Sequence, residues 1–174
     1  MKQGDGKEII AAGKYMNFAR RGRWEFVERK NLSGIVAIVA VNARDELILV
    51  EQFRAPTNCR VVELPAGLVG DEAALHGESL ETAARRELEE ETGYTAERFE
   101  YLFEGAASSG IIDEIIAFYR ALEPRKIGAG GGDDSEDIVV HEVPLADVHA
   151  WLADRRAAGA ATDIKIYAAL AFLK

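Results

Sequence analysis

Apolar and polar residues alternate through Trp24-Glu25-Phe26-Val27-Glu28, the pattern of a half-exposed strand. Ahead of it, residues 7–31 mix aromatic and basic side chains in loose alternation: Tyr15, Phe18, Arg20, Arg21, Arg23, Trp24, Phe26 and Arg29. Ile35 to Val41 is a near-continuous β-branched run, which predicts a buried strand. Asn42-Ala43-Arg44-Asp45-Glu46 reads as a turn, and Leu47 to Phe53 as the second strand of a hairpin. Val61 to Leu64 predicts a short strand stopped by Pro65 and Gly67. From Ser79 to Thr92 the spacing turns helical, with Ser79 as N-cap, Glu81 near the positive end and Gly93 just past the C-terminus. Tyr94 to Glu104, Glu114 to Leu122 and Ile138 to Val143 predict strands, and helices follow at about 145–156 and 162–173. Between them, Pro124 to Asp137 reads as a flexible loop that holds Gly128-Ala129-Gly130-Gly131-Gly132 and then Asp133, Asp134, Glu136 and Asp137. Strands around one central helix, with helices at the end, predict an α+β domain or a mixed-sheet α/β sandwich.

The central helix carries an anomaly. On a wheel with Leu80 at zero, Ala84, Leu88, Ala83 and Tyr94 form the apolar stripe, and Glu87 and Glu91 fall about 20° to either side of its centre. Glu90 flanks them and Arg86 lies further round. Carboxylates four residues apart repel one another, and an unpaired buried carboxylate costs several kcal/mol. An oxygen-loving divalent cation resolves the conflict; so does a solvated acidic face, against which the apolar flanks count.

Charge sharpens the picture. The 174 residues hold 21 Lys and Arg against 30 Asp and Glu, a net charge of −9. That argues against a general nucleic-acid binder, which needs a basic face. Residues 1–60 hold 11 basic and 7 acidic side chains; residues 61–174 hold 10 and 23. Such asymmetry suits a ligand that brings phosphate and a divalent cation together, and also suits simple solubility. The single cysteine, Cys59, excludes an intrachain disulfide and a cysteine-based zinc site. No apolar run is long enough to span a membrane and no signal-peptide pattern opens the chain, so a cytoplasmic protein is expected. His76, His141 and His149 lack ligand spacing and read as surface or capping residues, and Ser108-Ser109 has no His and Asp beside it in sequence.

The stretch Gly67 to Tyr94 resembles the Nudix box, G-x5-E-x7-R-E-U-x-E-E-x-G-U. Its second part matches fully, from Glu78 through Arg86-Glu87-Leu88-Glu89-Glu90-Glu91-Thr92-Gly93-Tyr94. Its first part has ten residues between Gly67 and Glu78 where the pattern has five, an insertion within Gly70 to His76. Glu63-Leu64-Pro65-Ala66-Gly67-Leu68, Val50-Glu51-Gln52-Phe53-Arg54, Val143-Pro144-Leu145 and Asp163-Ile164-Lys165-Ile166 look like the ADP-ribose and nucleoside-diphosphate-sugar pyrophosphatase branch. The resemblance covers roughly residues 20–174.

It implies a Nudix-type α/β/α sandwich with a mixed sheet, here over residues 32–174. It further implies an N-terminal β segment, residues 1–31, exchanged in a homodimer. The implied reaction is hydrolysis of the diphosphate of ADP-ribose or a similar sugar nucleotide, with Mg²⁺ or Mn²⁺. Residue by residue, Glu87, Glu91 and Glu90 match metal ligands, and the Ala66 carbonyl a backbone ligand. Arg86 matches the arginine that orients the glutamates, and Glu78 the first carboxylate of the box. Trp24-Glu25 and Arg29 match the segment that stacks on and holds the nucleoside, reaching across the dimer; Trp24 and Phe26 as ordinary inward-packed strand residues is the other reading. Arg29 or Arg54 would hold phosphate or ribose. Two candidates exist for a general base. Glu114 keeps a Gly110-x-x-x-Glu spacing, and Glu136 lies in an acidic loop resembling the family's closing loop. Glu136 is the chosen base and Glu114 an accessory ligand. Ser109 stands where the branch usually has proline, which leaves base and sugar open; GDP-mannose, a nucleoside triphosphate, or a nucleotide-sensing module without catalysis are the alternatives.

Overall fold

A computed structural model describes residues 6–70, 77–132 and 137–173. The inserted segment at 71–76, with His76, and the acidic residues 133–136, with Glu136, lie outside the described residues. The chain begins with an antiparallel sheet of β1 (Lys7–Ala12), β2 (Met16–Arg21) and β3 (Trp24–Arg29). The expected strand at Trp24 is present; the two before it were not foreseen, because their alternation is too weak to separate them from loop.

Next come β4 (Gly34–Ala40), β5 (Glu46–Arg54), β6 (Cys59–Glu63), β7 (Ala66–Val69) and α1 (Leu80–Thr92). The second half holds β8 (Tyr94–Thr95), β9 (Arg98–Ala106), β10 (Ile115–Leu122), β11 (Arg125–Lys126), β12 (Val139–Pro144), α2 (Val148–Ala157), β13 (Ala161–Thr162) and α3 (Lys165–Leu170). One sheet has the order β7-β4-β10-β9, with β4 and β10 parallel; another has the order β12-β5-β6-β13. The Ile38 amide donates to the Pro65 carbonyl at 2.8 Å and links β4 to the chain between β6 and β7. The core lies on both faces. Val36, Ile38 and Ile48 pack with Ala83, Ala84 and Leu88 of α1. Ala37, Val39, Leu47 and Leu49 pack with Leu152 of α2 and Ile166 of α3. This is the expected α/β/α arrangement around mixed sheets.

The hairpin expected from Ile35–Val41 and Leu47–Phe53 does not form. The turn is there, with Asp45 in the left-handed region at φ 58°, but the strands share only a Val41–Leu47 bridge. Each strand has two edges, and those of β4 are taken by β7 and β10, those of β5 by β6 and β12. The strand expected over Tyr94–Glu104 breaks after Thr95, where the Arg85 guanidinium takes the Ala96 and Glu97 carbonyls. At the end of the chain a 3₁₀ turn, Leu145–Asp147, precedes α2, and the helix expected over 162–173 shortens to α3. No helix among the described residues is long and apolar enough to cross a membrane.

The glycine run also departs from expectation. It is not a free loop: it is docked on the C-terminal end of α1. The amides of Ile127 and Gly128 donate to the Gly93 carbonyl at 2.7 and 3.1 Å, Gly131 to the Glu91 carbonyl at 2.8 Å, and Gly132 to the Glu90 carbonyl at 3.0 Å. These are carbonyls that a helix end leaves without partners. The approach is too close for a side chain: a Cβ on Gly130 would stand 2.3 Å from the Thr92 carbonyl carbon. Glycine is required here by backbone contact and not for looseness.

Candidate active site

The site is built on α1. The Ser79 hydroxyl accepts from the Thr82 amide at 3.1 Å, and Gly93 closes the helix at φ 69° with its amide on the Glu89 carbonyl. Between these caps, Ala83, Ala84 and Leu88 are fully buried and turn Glu87 and Glu91 inward with them. The Glu91 side chain is buried and accepts from the Ala66 amide at 3.0 Å. Glu87 lies against Gly67, where a Cβ would stand 1.8 Å from its carboxyl carbon. The glycine of β7 therefore leaves the space that the carboxylate fills.

Arg86 ties the glutamates together. Its Nε and Nη2 reach Glu78 at 3.2 and 3.3 Å, and its Nη1 reaches Glu87 at 2.8 Å and Glu90 at 3.0 Å. Nη2 also donates to the Leu68 carbonyl at 3.4 Å. Burial pulls the Arg86 pKa down, but the hydrogen bond to Glu78 and the carboxylates of Glu87 and Glu90 outweigh it, so the guanidinium stays charged. Glu90 is half-exposed and held by Arg86, one turn from Glu87.

Glu87 and Glu91 face a cleft of about 360 Å³. Ala66 and Gly67 line it beside them, as do Arg29, Arg54 and Glu114. The structure thus gathers from the sequence expectation both inward glutamates, the Ala66 strand, both arginines and Glu114. The Arg29 Nε donates to Glu114 at 2.6 Å, and Arg54 makes a two-pronged pair with Glu63 at 2.6 and 2.9 Å. Trp24 and Glu25 are not in this cleft; both are exposed at the start of β3, Glu25 opposite Arg20.

Three polar lining residues have no role in the sequence expectation: Gln52, Glu63 and Lys165. A signal existed. Gln52 and Arg54 lie two apart on β5, and Glu63 ends β6, so polar groups break apolar runs on buried strands. On the other face of β5, Glu51 is buried and takes Arg155 at 2.6 Å, Arg60 at 3.1 Å and His141 at 3.1 Å. Arg60 continues to Asp137 at 2.7 Å. His141 is thus a partner in a buried ionic cluster and not the surface residue expected. Burial raises the Glu51 pKa, but Arg155 and His141 outweigh it and hold it below the usual carboxylate value. Burial, with Arg155 and Arg60 nearby, pushes His141 down against the pull of Glu51.

The donor set suits a hard cation. Two inward carboxylates on one helix, beside a glycine that makes room for one of them, are oxygen ligands of the kind Mg²⁺ and Mn²⁺ prefer. Among the described residues no three His, Cys, Asp or Glu side chains form a ready-made cage. Mg²⁺ needs none: it is commonly held by one or two carboxylates and completed by water and substrate phosphate.

The NUDIX domain profile matches residues 32–169, and the chain belongs to that family. The methanol dehydrogenase activator of Bacillus methanolicus is 36% identical over 134 residues, 76% of this chain and 70% of that protein. The ADP-ribose pyrophosphatase of Bacillus subtilis (strain 168) is 39% identical over 115 residues, 66% of this chain and 60% of that protein. The chain therefore spans less than two thirds of that relative. In fold it is similar to the crystal structure of an ADP compounds hydrolase, with a TM-score of 0.64 over 83% of this chain and 80% of that one, at 21% identity. The expectation of a Nudix-class enzyme stands with the family assignment.

Proposed function

We propose that the protein is a divalent-cation-dependent pyrophosphohydrolase acting on ADP-ribose or a related nucleoside diphosphate sugar, releasing a nucleoside monophosphate and a sugar phosphate. The observation that carries this reading is the cleft that sets Glu87 and Glu91 of α1 beside Arg29 and Arg54. Glu87, Glu91, Glu90 and the Ala66 carbonyl would hold Mg²⁺ or Mn²⁺. A bound cation neutralises the diphosphate and acidifies a water for attack on phosphorus. Arg86 holds Glu78, Glu87 and Glu90 in place through its guanidinium. Arg29 and Arg54 bind phosphate or ribose oxygens as charged donors. Glu136, in the acidic segment after the docked glycines, takes the proton of the attacking water, and Glu114 is an accessory ligand paired with Arg29.

Trp24 and Glu25 serve the nucleoside from the N-terminal sheet of a second copy. Supporting a homodimer, Ile9, Ile10 and Trp24 are exposed on that sheet and Tyr15 on the connection between its first two strands, apolar side chains that a second copy would cover. A panel of ADP-ribose, GDP-mannose and nucleoside triphosphates, with products separated by chromatography, tests the reaction. AMP and ribose phosphate from ADP-ribose, lost by at least ~100-fold in Glu91→Gln, is the expected result. Glutamine can still accept from the Ala66 amide, so near-normal turnover in that variant at saturating Mg²⁺ would sink the cation assignment.

A further inference from the structure

The end of the sheet away from the cleft holds a separate cavity. Ile35 and Ile116 line the cleft at the start of β4 and β10. The two strands run parallel from there, and Val41, just past β4, and Leu122 of β10 line a cavity of about 370 Å³. From Ile35 to Val41 is roughly 20 Å of strand. The two cavities share no lining residue. Arginine fills the far one. Along β10, Ile116, Phe118, Arg120 and Leu122 point to one face, and the first two are core residues. Arg120 therefore stands where the row would next have an apolar side chain, and it is half-buried. Arg98 of β9, opposite Leu122 in the ladder, shares that face. Glu100 lies directly opposite Arg120, yet the two form no ion pair. Among the described residues neither the Arg98 nor the Arg120 guanidinium has a hydrogen bond or an ion pair, and both line the cavity. Glu123, at φ 52°, turns β10 into β11 and brings Arg125 to the rim, where it pairs with Glu97 at 2.7 Å. With Glu97 so taken, two guanidiniums and the one carboxylate of Glu123 face the cavity.

We propose that this cavity is a second anion site, which takes the phosphate group of a small phosphomonoester. A half-buried guanidinium without a counter-ion is not favoured by folding alone, because it loses hydration and gains no partner. An oxyanion between Arg98 and Arg120 supplies the partner to both. Guanidinium forks on two neighbouring strands suit a phosphate, which offers three oxygens to several N–H donors at once. Val41 and Leu122 give the wall beside it an apolar surface for the organic part of the ligand. No divalent cation is needed here, since the unpaired charges are mainly positive, unlike those of Glu87 and Glu91 in the cleft.

The test is a titration of the full chain with inorganic phosphate, ribose 5-phosphate and AMP in the presence of EDTA, followed on the arginine Nε–H signals by nitrogen-edited NMR. The Arg98 and Arg120 signals are expected to shift and saturate with each compound, and the tightest binder identifies the organic part that the cavity prefers. Arg98→Gln and Arg120→Met should each weaken that binding by about tenfold or more. Both should leave kcat/KM for ADP-ribose unchanged. Arg98 is exposed, so Arg98→Gln reads binding without disturbing the core. Without ligand, Arg120→Met should melt no lower than wild type, because it removes an unpartnered charge and extends the apolar row. Shifts that sodium chloride reproduces at equal ionic strength, shifts confined to Arg29 and Arg54 of the cleft, or binding that Arg98→Gln leaves intact overturn the inference. So does an Arg120→Met chain that melts several degrees below wild type, since the guanidinium would then serve the fold. The binding is read without turnover, so it stands or falls separately from the hydrolase reading.

Discussion

Gly67→Ala isolates what the position of one carboxylate is worth. The added methyl would overlap the Glu87 side chain, 1.8 Å from its carboxyl carbon and 1.9 Å from Oε1. Ordinary carbon contacts begin near 3.5 Å, so the carboxylate must withdraw by something over ~1.5 Å. The obstructed atoms are the far end of a rotatable chain, and β7 keeps its ladder to β4. The fold therefore gives way at little cost, and the melting temperature should fall by no more than ~3 °C. Function should not give way so easily. A misplacement of ~1 Å in a reacting array costs about 100-fold, or ~2.7 kcal/mol of barrier. Initial rates on ADP-ribose across a Mg²⁺ titration, with thermal unfolding followed by circular dichroism, read both quantities on the same sample. The expected result is a rate at least ~100-fold lower, a higher Mg²⁺ requirement and a nearly unchanged melting curve. A variant within threefold of wild type at every Mg²⁺ concentration would refute the placement of Glu87 at the reacting centre.

Gly130→Ala should do the reverse and unfold the chain early: it forces a Cβ against Thr92, puts alanine at φ 69° and breaks the hydrogen bonds that the Gly131 and Gly132 amides donate, together ~3–4 kcal/mol, or roughly 6–15 °C in melting temperature. A shift under 2 °C would mean the docked glycines contribute nothing. Glu136→Gln should lower kcat by ~10²–10⁴ with little change in KM, whereas Glu114→Gln should raise the cation requirement more than it lowers the limiting rate; the opposite pattern in steady-state kinetics transfers the base role to Glu114. Stability should fall on acidification in two windows. His141 and Glu51 both have depressed pKa values in the fold, so the unfolded chain binds more protons, first below the ordinary histidine value of 6.5 and again below the ordinary carboxylate value of 4.5. Melting temperatures that rise from pH 7 to 5.5, or a His141→Gln variant with the same slope there, would contradict the cluster's role.

The helix and its glutamates were legible because one periodicity carried both facts: the same face that buries Ala83, Ala84 and Leu88 turns Glu87 and Glu91 inward. Arg29 and Arg54 were found through resemblance, and the cleft now joins them to α1. Strand existence was readable from β-branched runs, but strand partnership was not. Ile35–Val41 and Leu47–Phe53 are adjacent in sequence and apolar, which satisfies a hairpin and a crossover equally; only the competition of β6, β7, β10 and β12 for their edges decides. Glu51, His141, Arg60 and Arg155 come from three strands and a helix, and no spacing brings them together before the chain is folded. Lys165 was invisible as a site residue for the same reason, since it is α3 packing that brings it to Ile116.

The docking of residues 128–132 on α1 has a consequence for how this enzyme can vary. Surface connections ordinarily accept inserted residues at small entropic cost. This one is pinned at both ends, Ile127 and Gly128 to the Gly93 carbonyl and Gly131 and Gly132 to the neighbouring Glu91 and Glu90 carbonyls, so its length is set by the helix end. A single residue added or removed within it would shift every donor out of register with Glu90, Glu91 and Gly93. The helix end, with no basic residue in its last turn, would then face solvent with its carbonyls bare. Insertions should accordingly be tolerated at the exposed Ala55–Asn58 corner and not in the glycine run. In hydrogen exchange the Gly131 and Gly132 amides should be protected together with the last turn of the helix, one cooperative unit spanning two stretches of chain some forty residues apart.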